Sequence, residues 1–297
     1  MEKEDTEYTY GAGSKRSNKF HSTPKPKAAP EKEILLKESD EDYPKDIPKG
    51  SPYYQKIWID ELREVINQGF RRTCWTIAST RSLSARLLIE GKADPPLLLS
   101  ALHLLVGLFD KTDSKGGLQN LEHLQKFLKE NGTLLEEDCK CVDPFAEDKK
   151  KDKRKSKKPK KAPILCTRKR QPKRMFKVRD LVISNTVDEK ELIQLVNEGP
   201  VAVTIDVNED FDKFKGDGIY TGPKKGAKKI DKHMLLINGY NTYKKQHYWN
   251  CQNSAGLSWG DNGFGKILRQ VSRGDGQPSL FSGIVYPVLF DREAYNP

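Results

Sequence analysis

The sequence predicts an α+β protein, with helices first and an antiparallel β-sheet second. Between Cys74 and Gly132, apolar residues recur at three- to four-residue spacing, which is the helical period. From Val201 to Phe290 they gather instead in short β-branched and aromatic runs bounded by turn residues. The first 50 residues fit neither pattern: Pro24, Pro26, Pro30, Pro44 and Pro48 lie among many charges, with Ile34-Leu35-Leu36 as the apolar cluster. Such a tail has too little apolar surface to offset its ordering entropy and is expected to be disordered.

The elements follow in order. Cys74 opens a helix through about Glu90, with Ala78, Ser82, Ala85 and Ile89 on one face and Gly91 as the stop. Ser100 caps a short helix through Phe109. Leu118 to Glu130 repeats Leu121, Leu124 and Leu128 and ends at Gly132. Asp188 and Glu191 form a capping-box-like pair opening a helix that carries Leu192, Leu195 and Val196 and stops at Gly199. Strands are expected over Val201 to Val207, His233 to Tyr240, Tyr248 to Gln252, Phe264 to Gln270 and Ile284 to Phe290.

The formal charge of +11 over 297 residues is concentrated in one segment. Lys149 to Arg174 holds 15 Lys or Arg and one acid, Asp152, so the rest of the chain is mildly acidic, at −3. Blocks of like charge stay solvated, and often address nucleic acid or nuclear import machinery. No aromatic residue interleaves the block, which points to loose phosphate contact and not base stacking. No apolar run reaches the roughly 18 residues of a membrane-spanning helix, so no membrane partner is expected. The tail has no signal-peptide apolar stretch, and the expected location is the cytoplasm and/or nucleus.

The five cysteines are Cys74, Cys139, Cys141, Cys166 and Cys251. Cys139 and Cys141 lack a second pair at zinc-ligand spacing, so neither a metal site nor a cofactor is expected. Cys251 is expected on a buried strand, where a free thiol packs as a small hydrophobe. This usage fits a reducing compartment and a fold without disulfides.

The chemistry is carried by four residues. Cys74, His233 and Asn253 occur in that order, and a cysteine nucleophile needs an imidazole to take its proton and a third group to hold that imidazole in one tautomer. Gln68, six residues before Cys74, offers an amide that, with the Cys74 backbone N–H, stabilises a developing oxyanion. The other histidines fit less well: His103 and His123 fall on amphipathic helices, His21 in the tail and His247 in a hairpin turn.

In these residues and their flanks the chain resembles the papain-like cysteine proteases. The resemblance rests on Gln68-Gly69, Cys74-Trp75, Gly116-Gly117-Leu118, Gly199-Pro200-Val201, Gly218-Ile219-Tyr220, His233, Tyr248-Trp249, Asn253 and Trp259-Gly260, and runs from about Ile57 to Phe290. It implies a two-lobed fold with a helical left lobe, an antiparallel sheet right lobe and the active-site cleft between them. Gly116, Gly117 and Leu118 would then line the substrate cleft, Gly117 pairing with an extended peptide and Leu118 contributing an apolar pocket. Cys74 and His233 are 159 positions apart, against roughly 130–150 in the family. Removing the 26 residues of 149–174 leaves 133, which makes that block an insertion in a surface loop. The expected organisation is a tail at 1–50, a helical lobe at 51–148, the polybasic insertion at 149–174 and a β-rich lobe at 175–297.

The resemblance has departures. The family's bridging cysteines correspond to Arg71, Ser114 or Lys115, and Lys224. The tryptophan that covers the Asn–His hydrogen bond is Ala255, so water is expected to compete for that bond. Lys232, before the histidine, is expected to depress its pKa. The tail is too short and Pro-rich to be the family's inhibitory propeptide. The leading expectation is a monomeric cysteine-type endopeptidase, of reduced activity if these departures weaken the triad, acting on peptide or protein substrates. The alternatives are a catalytically weak homologue that binds extended peptides and a nucleic-acid-associated protein acting through its polybasic loop.

Overall fold

A computed structural model describes residues 55–92, 97–144, 174–274 and 276–291. The expectations for the 1–50 tail and, apart from Arg174, for the polybasic insertion fall outside these residues. The architecture is α+β, as the sequence predicts. Strands are β1 (Lys56–Ile57), β2 (Asp180–Ser184), β3 (Val201–Val207), β4 (Ile219–Tyr220), β5 (Asp231–Tyr243), β6 (Gln246–Gln252), β7 (Phe264–Leu268) and β8 (Phe281–Val288). Helices are α1 (Cys74–Ile89), α2 (Ala101–Gly107), α3 (Glu122–Glu130), α4 (Glu189–Glu198) and α5 (Glu209–Asp212).

The strands form one sheet in the order β2-β8-β3-β5-β6-β7-β4, with β1 paired to β5 off this path. All pairings are antiparallel except β4 with β7, so the expected antiparallel sheet carries one parallel edge. The long β5 is its centre. Met234 to Tyr240 are buried without a break, because β5 is covered on both faces and cannot alternate with water. Ile205 of β3 stands opposite His233, which fixes the register that aims the histidine.

Helix α1 was expected to bury one face and instead buries almost all of its length. Its small Ala and Ser residues allow close approach on all sides, and two of its polar side chains reach backbone carbonyls of the sheet half. Ser82 Oγ donates to Pro200 O at 2.8 Å and Arg86 Nη2 to Leu195 O at 3.1 Å. A helix closed in on every side has little amphipathic signal to read. Asp188 caps α4 as predicted, accepting from the amides of Lys190 and Glu191. Leu83, Leu87, Leu104, Leu124, Leu128 and Phe176 centre one core, between the helices and the β2–β8 end of the sheet. A second core lies under α4, around Val196, Leu235, Ile237, Tyr240 and Trp249.

The chain crosses the division expected between the two lobes. β1 joins β5 through Lys56 opposite Tyr240, and Trp58 Nε1 donates to Val196 O at 2.6 Å. The segment before the nucleophile therefore belongs to the sheet half. Two strands too short to show a pattern, β1 and β4, and the five-residue β2 were not among the expected strands.

Cysteine usage also differs from expectation. Cys74 and Cys251 are free, but Cys141 is disulfide-bonded. Ion pairs occupy two positions where the resemblance implied lost bridges. Arg71 pairs with the buried Asp143, and Lys224 with Asp210 at 3.3 Å.

Candidate active site

Cys74 is the first residue of α1 and is 8% exposed. No acidic side chain occupies the first turn, so the partial positive charge of the helix N-terminus acts on the sulfur undiluted. His233 enters from β5 and hydrogen-bonds the thiol. Burial opposes both charges of a thiolate–imidazolium pair. Mutual attraction and hydrogen bonding outweigh it, so the thiol pKa is lowered and the imidazole pKa raised.

The imidazole tautomer follows from its neighbours. His233 Nε2 lies 2.7 Å from Asn253 Oδ1. The backbone N–H of Ser254 also meets that atom at 2.7 Å, and since an N–H can only donate, the atom is the amide oxygen. Nε2 must then carry the proton, which leaves Nδ1 as the basic nitrogen for the thiol. Asn253 is buried, and its backbone N–H donates to Gly263 O at 2.9 Å, fixing the loop.

Gln68 stands on the adjoining loop. Its Oε1 accepts from Ser254 Oγ at 2.7 Å, and its Nε2 donates to Arg71 O at 2.7 Å. One of the two amide hydrogens is thereby used and the second remains for a substrate oxygen. Gln68 N also donates to Ser254 O at 2.8 Å, so the Gln68 and Asn253 loops are tied through one serine.

The glycine pair is held close to the nucleophile helix, because Trp75 Nε1 donates to Gly116 O at 2.9 Å. Gly116 has φ of 84°, which disfavours any side chain. Gly117 is already occupied: its N–H donates to Asp113 Oδ1 at 2.9 Å and its oxygen accepts from Asp113 N at 2.8 Å. Leu118 is half-buried and packs against the helical core. The structure thus brings Cys74, His233, Asn253 and Gln68 together and sets Gly116, Gly117 and Leu118 beside them, with Gly117 paired internally.

Several neighbours were not anticipated. Phe211 of α5 stands beside His233, ring centroids 6.2 Å apart, and its carbonyl accepts from Trp259 Nε1 at 2.8 Å. Asp212 follows it, and its charge helps raise the His233 pKa, after the effects of Cys74 and Asn253. Burial raises the Asp212 pKa, with attraction to His233 opposing. Lys232 was expected to depress His233. It is exposed, on the opposite face of β5 by strand alternation, and the histidine is raised. The same alternation places Asp231 on the His233 face, a signal present in the sequence and not used. Among the other histidines, His103 is buried and lowered by burial to about 4, so it stays neutral. His247 was expected in a turn and instead lies buried on β6, its Nδ1 2.7 Å from Thr242 Oγ1.

The fold and the sequence both have counterparts among known proteins. The chain is 26% identical to cathepsin 7 of Rattus norvegicus over 238 residues, covering 78% of this chain and 65% of that protein. It is 36% identical to cathepsin L1 of Drosophila melanogaster over 104 residues, which is 34% of this chain and 27% of that one. These matches span less than two thirds of the relatives' own lengths. Among solved structures, the Carica candamarcensis cysteine protease CMS1MS2 in complex with E-64 superposes with a TM-score of 0.57 at 22% identity, covering 82% of this chain and all of that one. The bromelain protease of Ananas comosus in complex with E64 gives 0.57 at 21%, with the same coverage. The model of the papain family cysteine proteases matches residues 56–287, and the chain belongs to that family.

Proposed function

We propose that the chain is a cysteine-type endopeptidase in which Cys74 is the nucleophile, His233 the general acid and base, Asn253 the orienting group and Gln68 an oxyanion donor. The observation that carries this reading is the 2.7 Å contact of His233 Nε2 with an Asn253 oxygen whose identity Ser254 fixes. It presents basic Nδ1 to a thiol whose pKa is lowered.

The thiolate attacks the scissile carbonyl carbon, and the C=O electron pair moves onto oxygen. That oxygen is stabilised by the free Gln68 amide hydrogen and by the Cys74 N–H, in the helix turn whose amides lack intrahelical acceptors. Collapse breaks the C–N bond while His233 Nδ1–H protonates the departing amine. Water, deprotonated at Nδ1, then attacks the thioester and releases the acid and the thiolate.

The retained, oriented ion pair favours a peptidase over a weak peptide-binding homologue. Contact of the polybasic segment with nucleic acid or import machinery, and residence in cytoplasm or nucleus, are further parts of the proposal. The Cys141 bridge weighs against a strongly reducing location. The test is to treat the full chain with a peptidyl epoxide and map the adduct by mass spectrometry. A single adduct at Cys74, absent in Cys74→Ala, supports the reading. Free hydrolysis of peptides by Cys74→Ala would contradict it.

A further inference from the structure

Arg72, two residues before Cys74, makes two ion pairs on opposite sides of the site. Its Nε lies 2.6 Å from Asp231 Oδ2, on the β5 wall two residues before His233. Its Nη1 lies 3.1 Å from Asp113 Oδ2, on the glycine loop. The side chain runs directly over Gly117: a Cβ added to that glycine would meet Arg72 Cβ at 3.1 Å and Cδ at 3.2 Å, and Asp113 Oδ2 at 2.8 Å. The Gly117 hydrogen-bonding groups are themselves engaged by Asp113. Two independent features, a side chain overhead and a backbone paired internally, therefore occupy the place where an extended peptide would lie.

We propose that Arg72 is an ionic strap that holds this half of the cleft closed until a peptide displaces it from Asp231 and Asp113. The proposal rests on the peptidase reading and supplies a restraint on it from within the folded domain. The strap is built to yield. The side chains of Arg72, Asp113 and Asp231 are 44%, 24% and 35% exposed, and ion pairs this accessible to water are individually weak and screened by salt. Holding Arg72 at both ends makes the closed arrangement specific without making it permanent.

The test compares two alkylating probes on the full chain. Iodoacetamide reaches Cys74 without pairing along the cleft, whereas a peptidyl epoxide must lie over Gly117. Dividing the epoxide rate by the iodoacetamide rate removes any effect of Arg72 on thiolate content. Arg72→Ala is expected to raise this ratio about tenfold, roughly 1.4 kcal/mol of barrier. The isosteric Asp231→Asn, which releases one end, should raise it several-fold. Salt should raise the ratio in the wild type and leave it unchanged in Arg72→Ala. Unfolding midpoints measured alongside identify a variant that has lost its fold, and Asp231→Asn then carries the test. A ratio unchanged in both folded variants would overturn the strap. A Cys74 that alkylates as an ordinary thiol in all of them would overturn the peptidase reading and the strap with it.

Discussion

Ser254 donates its hydroxyl to Gln68 Oε1 at 2.7 Å. The contact turns the Gln68 amide so that Nε2 faces Arg71 O, which takes one of its two hydrogens. The same serine uses its N–H to define the Asn253 oxygen. One residue thus orients both the oxyanion donor and the group that orients the base.

Removing that hydroxyl should affect the transition state more than the ground state. Ser254→Ala is expected to lower kcat about tenfold, near 1.4 kcal/mol, with KM little changed. Ser254→Thr, which keeps the hydroxyl, should recover most of the loss. An equal rise in KM with kcat intact would assign Ser254 to substrate binding instead.

Asp212 bears on pH dependence. Its negative charge helps raise the His233 pKa, and activity on the basic side is lost as the imidazolium gives up its proton. Asp212→Asn should therefore move the basic limb of the kcat/KM profile to lower pH. The acid limb, set by the lowered Cys74 thiol, should stay in place. A profile unmoved on the basic side would show that Asp212 does not act on His233.

Ala255, where the resemblance implies a missing indole, is partly buried against the second core. Asn253 is buried, Phe211 already flanks the His233 ring, and Ala255 itself pairs with Asn67. Ala255→Trp is expected to give no gain in kcat and to lower stability by overpacking at that contact. A clear rise in kcat in a stable variant would show that water does compete for the Asn253–His233 bond.

The Cys141 bridge replaces the expectation of a fold without disulfides. A bridge of ordinary worth, about 2–4 kcal/mol, predicts that reductant lowers the thermal midpoint by about 5 °C or more. Cys141→Ser should show the same shift without reductant. Coincident unfolding curves would show that the bridge does not support the fold.

Much of this site was legible in the sequence because its chemistry is local. Cys74-Trp75 at a helix start, Gln68-Gly69 before it and Asn253 before Trp259-Gly260 each sit in a short stretch with its own turn signals. The long strands announced themselves through burial on both faces. What escaped depended on residues distant in sequence meeting in space. Arg72 carries no local signal of its ion pairs, since its partners Asp113 and Asp231 lie 41 and 159 positions away. Phe211 and Asp212 sit on a four-residue helix, too short to leave a periodicity. Lys232 was misjudged because adjacency along a strand places a side chain on the opposite face.

The account stands or falls on the state of Cys74, and the most direct measurement is its alkylation rate by iodoacetamide as a function of pH, read residue by residue by mass spectrometry. Cys251, fully buried and pushed well up in pKa by that burial, is an internal reference that should not react. The account predicts that Cys74 alkylation persists well below the free-thiol pKa of about 8.5, and that His233→Ala moves its onset upward toward that value. An onset near 8.5 in the wild type, unmoved by His233→Ala, would contradict it.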